Sequence, residues 1–138
     1  RSSVAAENLP VRAICANIED CPLPPARYQL VTAVTVLGLL EPGRLEALAP
    51  RVERSLCAEG VLFVEELGED DPGSRGGEEA SEFAHLSEQY FTLDHLRSLF
   101  DGLEAVESAS FTVKDSDHGD VHRHQVVRFV GRKVSAAD

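Results

Sequence analysis

The strand–helix–strand pattern between residues 28 and 64 constrains the fold of this chain more than any other feature. Apolar residues are nearly continuous over residues 28–40, without the alternation of a half-exposed strand, and Val61–Val64 is a second such run. Strands buried on both faces have this pattern and occur in parallel sheets covered by helices. Residues 42–56 between them repeat apolar residues at helical spacing. We therefore predict a βαβ unit whose first strand ends near Val34 and whose two strands are parallel.

Shorter elements are predicted on both sides of this unit. Val11–Ala16 is a β-branched apolar run after a proline and is predicted to be a strand. Thr92 is a suitable N-cap for a helix that ends at Gly102. Residues 103–113 alternate, and residues 125–134 form a last apolar run. We expect these two segments to be strands that form an antiparallel hairpin, so the whole pattern predicts an α/β fold.

Most of the negative charge lies in one segment. The chain has a formal net charge of −11, and residues 65–88 contain nine acidic residues and a single basic one, Arg75. Because this segment is also glycine-rich, we predict a long acidic loop that begins at Glu65 and Glu66. The alternative for these two residues is that they face the mouth of a pocket at the end of the strand. A loop of this length is either a solvated insertion or a cover over an active site.

The remaining composition limits the partners and the compartment. An acidic chain has no general attraction for nucleic acid, and no apolar run is long enough to span a bilayer. We therefore expect neither a nucleic-acid nor a membrane partner. The three cysteines, Cys15, Cys21 and Cys57, are too few for a disulfide scaffold, which favours a reducing cytoplasm. We expect residues 1–138 to form a single domain, and whether it is a homo-oligomer is left open.

The order of several segments resembles one enzyme family. The first matching segments are an acidic, proline-containing turn (Ala16–Leu23), an aromatic-led strand (Tyr28–Val31) and a leucine-rich stretch (Val36–Leu40). They are followed by the approach to the next strand (Cys57–Leu62), a helix start (Tyr90–Leu96) and a closing strand (Arg128–Lys133). In this order they resemble the C-terminal part of the class I S-adenosylmethionine-dependent methyltransferases, nearest to the tellurite and thiol methyltransferases. The resemblance covers nearly the whole chain.

The resemblance implies a partial Rossmann-like fold, with a mostly parallel sheet that lacks the family's first two strands and closes with a C-terminal antiparallel hairpin. It implies methyl transfer from S-adenosylmethionine to a small-molecule acceptor, as part of a longer parent protein. The chain departs from the family by lacking its glycine-rich cofactor loop and by having Glu59 in place of a glycine. It also contains no methionine, not even at position 1. We therefore expect a truncated methyltransferase domain in which Val11–Ala16 has lost its neighbouring strands.

The resemblance also places the cofactor-binding residues. Asn17 stands where the family carries an aspartate that meets the adenine amino group, and Ile18 follows it at the ring edge. Val34 and Thr35 lie at the carboxyl end of a parallel strand, where open α/β sheets bind ligands. An asparagine that closes a strand in a turn, and core packing of Val34, are alternative interpretations. We assign no catalytic residue, because methyl transfer from a sulfonium depends mainly on alignment and on exclusion of water.

Two histidines near the C-terminus are assigned to the substrate pocket. His122 and His124 follow a polar turn at residues 115–120 and share one strand face by period two. Imidazoles at such a place can act as bases, or they can form a solvated hairpin tip. With nearby carboxylates they also suit Zn²⁺, but the spacing is not diagnostic and we assign no metal ligand. The alternatives to methyl transfer are a noncatalytic Rossmann-like domain for binding or assembly and a metal-binding hairpin module.

Overall fold

The structure, a computed structural model, describes residues 10–75, 87–116 and 121–135. In chain order its elements are β1 (Tyr28–Val34), a 3-10 turn (Leu37–Leu39), α1 (Pro42–Ser55), β2 (Leu56–Leu67), a second 3-10 turn (Pro72–Arg75), α2 (Leu93–Leu99), β3 (Glu104–Asp115) and β4 (His122–Arg132). Thr92 caps α2, because its hydroxyl accepts a hydrogen bond from the N–H of His95 at 3.0 Å. The predicted βαβ unit, the second helix and the last two strands are all confirmed.

The four described strands form one sheet in the order β1-β2-β4-β3. β1 and β2 run parallel and are joined through α1, whereas β2 pairs with β4, and β4 with β3, in antiparallel orientation. The α/β class and the closing antiparallel hairpin are confirmed. The described sheet is mixed rather than mostly parallel, because no strand from residues 10–27 adds a parallel neighbour to β1.

Both helices pack on the same face of the sheet. They bury one apolar core together with alternate residues of β2 and β4: Leu45, Leu48, Ala49 and Val52 of α1, Leu96 of α2, Leu62 and Val64 of β2, and Val127 and Phe129 of β4. On the opposite face of β1, Leu30 and Val34 are 57% and 51% exposed. Alternation along the strands therefore separates a covered face from one that is open at β1. Neither described helix is long and apolar enough to cross a membrane.

The predicted strand at Val11–Ala16 is wrong. The segment has no strand structure and is exposed along its length, with Val11 at 58% and Ile14 at 51%. A strand needs partners for its backbone N–H and C=O groups, and none of the described strands pairs with this segment. The apolar run alone is therefore insufficient to make a strand here.

The acidic segment begins later than predicted. β2 continues to Leu67, so Glu65 and Glu66 belong to the strand and not to a loop. The chain then turns through residues 68–71 into the second 3-10 turn. Residues 76–86 of the predicted loop lie outside the described residues, as do residues 117–120 of the polar turn. The role of the loop as a cover over an active site stays a prediction.

Glu59 stands where the methyltransferase pattern has a glycine, and the structure shows the backbone conformation at this position. Its backbone is left-handed, with φ 61°, which is a conformation that glycine adopts without strain. The turn is held on both sides, because the N–H of Glu59 donates to the carbonyl of Lys133 and the N–H of Lys133 donates to the carbonyl of Gly60, each at 2.9 Å. Glu59 therefore holds a conformation that would be unstrained for glycine, at a cost of roughly 1–2 kcal/mol.

Candidate functional site

The carboxyl ends of β1 and β2 lie at the same end of the sheet as the start of β4. Val34 pairs with Glu65 in the parallel ladder, and Leu67 pairs with Val126 in the antiparallel one. Ligands in open α/β sheets bind outside the carboxyl ends of the parallel strands. The candidate site is therefore built from the turn after β1, the turn after β2 and the first residues of β4.

A buried carboxylate fixes the turn after β1. Glu66 is 2% exposed, and its Oε1 accepts hydrogen bonds from the N–H groups of Val36 at 2.9 Å and Leu37 at 2.7 Å. Its Oε2 accepts a third from the N–H of Gly38 at 3.3 Å. The N–H groups at the start of a 3-10 turn have no partner within the turn, so the carboxylate of β2 satisfies them. The turn is thereby held in one position against the end of the sheet.

The pKa of Glu66 lies above the ordinary value of 4.5, because burial disfavours the charged form more than the three backbone N–H groups favour it. Between pH 4.5 and this raised pKa, Glu66 is mostly protonated in the folded chain and mostly ionised in the unfolded chain. The contribution of Glu66 to stability is therefore fully present below 4.5 and falls as pH rises through the raised value.

We expect the variant Glu66→Gln to lose this pH dependence, because glutamine does not ionise. Urea denaturation of both proteins from roughly pH 4 to pH 8 measures the pH dependence of the unfolding free energy. The difference between the two proteins removes the contribution of the other carboxylates, which they share. The unfolding free energy of the wild type relative to the variant should decrease as pH rises. Parallel pH profiles for the two proteins would show that Glu66 has the same pKa in the folded and unfolded chain.

The predicted cofactor residues fall in two places. Val34 and Thr35 lie at the carboxyl end of β1, and Thr35 has a left-handed backbone with φ 49°. Asn17 lies in a turn, where its Oδ1 accepts from the N–H of Glu19 at 3.2 Å and its Nδ2 donates to the carboxylate of Glu19 at 3.1 Å. Ile18 packs against the core. The asparagine thus has the local role of a turn residue, and its contact with a cofactor stays a prediction.

The turn that contains Asn17 is fastened to α1. Arg44 pairs with the carboxylate of Glu19 at 2.9 Å. Arg51 donates to the backbone carbonyls of Glu19 and Cys21, at 2.5 Å and 2.8 Å. These contacts hold a segment without regular structure on the N-terminal side of β1.

The two predicted substrate histidines are brought together and tied to a buried aspartate. The Nε2 atoms of His122 and His124 are 3.0 Å apart, and the rings meet edge to face. His124 Nδ1 lies 3.0 Å from Oδ2 of Asp71, which is 1% exposed. Asp71 also accepts the N–H groups of Gln125 at 2.9 Å and Gly73 at 2.8 Å. The carboxylate therefore joins the turn after β2 to the start of β4.

A separate groove lies between the start of α2 and the hairpin. Its volume is about 340 Å³, and Phe91 and Val127 supply apolar lining. Its acidic lining comes from Glu69, Asp70 and Asp94. This is the size of a small-ligand pocket, but none of the predicted site residues lines it.

The sequence interpretation misses Asp71 and the burial of Glu66. Leu62, Val64 and Glu66 alternate on the buried face of β2, so continuing the period of two from Leu62 would have placed Glu66 inside. Asp71 precedes Pro-Gly, a sequence that indicates a turn. Its bond to His124 spans 53 positions, and no local pattern signals a contact of that range.

The fold and the position of the site define an α/β protein with a Rossmann-like half-sheet. Several solved structures with this arrangement are methyltransferases, and their sequence identity to this chain is low. The chain matches TehB from Haemophilus influenzae at 14% identity and a TM-score of 0.70, covering 94% of this chain and 43% of TehB. It also matches the 1,6-didemethyltoxoflavin N1-methyltransferase of Burkholderia thailandensis, which was solved with 1,6-didemethyltoxoflavin and S-adenosylhomocysteine bound. That match has 17% sequence identity and a TM-score of 0.69, and it covers 96% of this chain and 55% of that enzyme.

A third match is an S-adenosylmethionine-dependent methyltransferase of Methanosarcina mazei, at 14% identity and a TM-score of 0.63, covering 88% of this chain and 66% of the other. No protein-family model matches the chain, and no curated protein matches it by sequence. The chain thus has part of the fold of these methyltransferases, as the resemblance predicts. It spans 43% to 66% of the length of these three proteins.

Proposed function

We propose that this chain is the C-terminal part of a class I methyltransferase domain that transfers a methyl group from S-adenosylmethionine to a small-molecule acceptor. The fold likeness supports methyl transfer in general. The observation that carries the finer proposal is the character of β1, which is an edge strand among the described residues but has the composition of an interior one.

The two edges of the described sheet differ in how they are protected. Natural edge strands avoid pairing with other chains by carrying charges, prolines or bulges. β3 is such an edge, with Glu104, Glu107 and Lys114 along it and an irregularity between Ala105 and Glu107. β1 reads YQLVTAV and has neither charge nor proline, although its pairing with β2 is also irregular, between Tyr28 and Leu30. The difference between the two edges is therefore one of charge. This favours a further parallel strand beside β1 in the complete domain.

The described residues fit one side of a cofactor site. Val34 and Thr35 lie where the carboxyl end of β1 would face a ligand, whereas the side chain of Asn17 is engaged with Glu19. The glycine-rich loop that would let backbone approach the cofactor is absent from the chain. When bound, S-adenosylmethionine supplies an electrophilic methyl group, so this chain's residues need only orient the reactants and exclude water. We place the acceptor at the sheet end where His122 and His124 begin β4.

S-adenosylhomocysteine is not expected to raise the melting temperature of this chain. A ligand stabilises a protein in proportion to the logarithm of its concentration over Kd, so an incomplete site gives no shift. Differential scanning fluorimetry with increasing S-adenosylhomocysteine measures it, with adenosine as the matched control ligand. A shift of several degrees would show that this chain alone contains a complete cofactor site.

The product of the complete reading frame tests methyl transfer itself. We expect it to contain a glycine-rich loop after a strand, to be stabilised by S-adenosylhomocysteine and to release that product when given S-adenosylmethionine and a panel of small thiol, amine and hydroxyl acceptors. If that protein binds no S-adenosylhomocysteine, the proposal fails. A noncatalytic domain for binding or assembly is then favoured, as the engaged side chain of Asn17 would allow.

A further inference from the structure

One end of the β3–β4 hairpin brings together two imidazoles and a carboxylate. Asp115 pairs with His122 across the hairpin, and His124 follows two positions later on the same face of the sheet. All three side chains are half-buried, and one ligand atom from each lies within 4.8 Å of the others. Strand register, and not a loop, sets this spacing, which is the more rigid way to hold a constellation of ligands.

The distance between the two imidazoles suits a shared cation. Their Nε2 atoms are 3.0 Å apart. Two nitrogens that each lie about 2.0–2.1 Å from a tetrahedral Zn²⁺ are separated by about 3.3 Å. A movement of a few tenths of an ångström would therefore convert the contact between the rings into a pair of metal ligands. In the absence of metal, one ring donates to the other.

Asp71 orients one of these ligands from outside the cluster. Its buried carboxylate contacts His124 Nδ1 at 3.0 Å and is fixed by the N–H groups of Gln125 and Gly73. A proton on Nδ1 that is donated to this carboxylate leaves the lone pair of Nε2 directed towards His122. Metal-binding histidines in proteins are commonly held in this way, by a carboxylate on the other ring nitrogen.

We propose that Asp115, His122 and His124 bind a divalent transition-metal cation of the Zn²⁺ type, with Asp71 as a positioning residue. Two imidazoles and one carboxylate are the donors that zinc, cobalt and nickel accept, whereas calcium and magnesium require mainly oxygen ligands. Three protein ligands leave a fourth position for water or another small molecule. The site shares His122 and His124 with the place proposed for the acceptor, but metal binding itself requires neither S-adenosylmethionine nor methyl transfer, so it is tested separately from that function.

Titration of the metal-free chain tests the proposal. Zn²⁺ binding is measured by calorimetry and by competition with a chromogenic chelator, and we expect one cation per chain with a micromolar or lower Kd. Saturating Zn²⁺ is expected to raise the melting temperature by several degrees. Co²⁺ in its place is expected to give the visible absorption of a low-symmetry nitrogen and oxygen site, without a thiolate charge-transfer band.

Matched variants separate this site from other zinc ligands. Asp115→Asn and His122→Ala are each expected to weaken Zn²⁺ binding by about tenfold or more, and Asp71→Asn by about 10- to 100-fold. Asp71→Asn is also expected to change the Co²⁺ spectrum, which a loss of stability alone does not. His95→Ala is the control, since His95 stacks on Phe91 at 5.2 Å and lies outside the cluster. Its affinity should equal that of the wild type.

A second control removes Cys15, Cys21 and Cys57 together by replacing each with serine. Zn²⁺ affinity should be unchanged, because none of the three belongs to the cluster. The proposal is overturned if the wild-type chain binds no Zn²⁺, if His122→Ala and Asp115→Asn both leave the affinity unchanged, or if binding disappears with the cysteines. Circular dichroism of each variant without metal verifies that it is folded.

Discussion

Replacing Glu66 by alanine is expected to lower the free energy of unfolding by about 3 kcal/mol, since an unsatisfied buried polar group costs about 1–3 kcal/mol. The variant leaves the N–H groups of Val36, Leu37 and Gly38 without their acceptor, at a site that is buried on the core side of the sheet. The loss is moderated because the alanine variant no longer has a carboxylate to desolvate, whereas the wild-type protein does. Urea denaturation at neutral pH measures the change.

Glu65→Ala is the matched control for this variant. Glu65 is the preceding residue of β2 but points to the other face, where it pairs with Arg128, whose side chain is 32% exposed. Arg128 keeps its contact with Glu107, so the expected loss is no more than about 1 kcal/mol. Equal losses in the two variants would mean that water replaces Glu66 in the turn and that the carboxylate does not hold it.

Phe129→Ala is expected to cost about 4 kcal/mol, within the range of about 3–5 kcal/mol for removing a buried aromatic ring. Phe129 is 1% exposed and stacks on Phe100 with ring centroids 6.2 Å apart. Gly131 leaves room for the ring, because a Cβ at that position would lie 2.8 Å from it. Neighbouring side chains on a sheet and two helices cannot collapse fully into the space, so most of the cavity would remain.

Phe63→Ala is the control that tests whether the large loss of stability is specific to the helix-covered face of the sheet. Phe63 lies on the opposite face of β2, half-buried beneath the guanidinium of Arg128, which is 5.4 Å from the ring centre. The expected loss is about 1 kcal/mol, because less apolar surface returns to water. Chemical denaturation compares the two variants. A loss for Phe63→Ala as large as that for Phe129→Ala would indicate that the second face is also covered in solution.

Much of the fold could be predicted because its signals are local. The apolar run of β1, the helical spacing of α1 and the capping of α2 by Thr92 each depend on residues within one or two turns of one another. The same reasoning failed at Val11–Ala16, where the pattern was suitable but no described strand supplies the backbone partners. A strand forms only when a second strand satisfies its backbone N–H and C=O groups, and one sequence segment does not show whether that partner is present.

The candidate site was predicted in part. Val34 and Thr35 follow from the end of a parallel strand, and His122 and His124 share a face because the strand period is two. The sequence alone favours placing Glu66 in the acidic loop, since its neighbours are acidic and the strand is predicted to end at Val64. Its burial depends on three N–H groups about 30 positions away in the chain.

The sequence by itself determined the class of fold and the order of its elements, because hydrophobic periodicity and capping are written within short segments. Only the tertiary structure decided which charged groups are buried. Asp71 and His124 are joined because β2 and β4 pair in antiparallel register, and Asp115 meets His122 because β3 and β4 do. Contacts of this kind depend on the register between strands, which no single segment encodes.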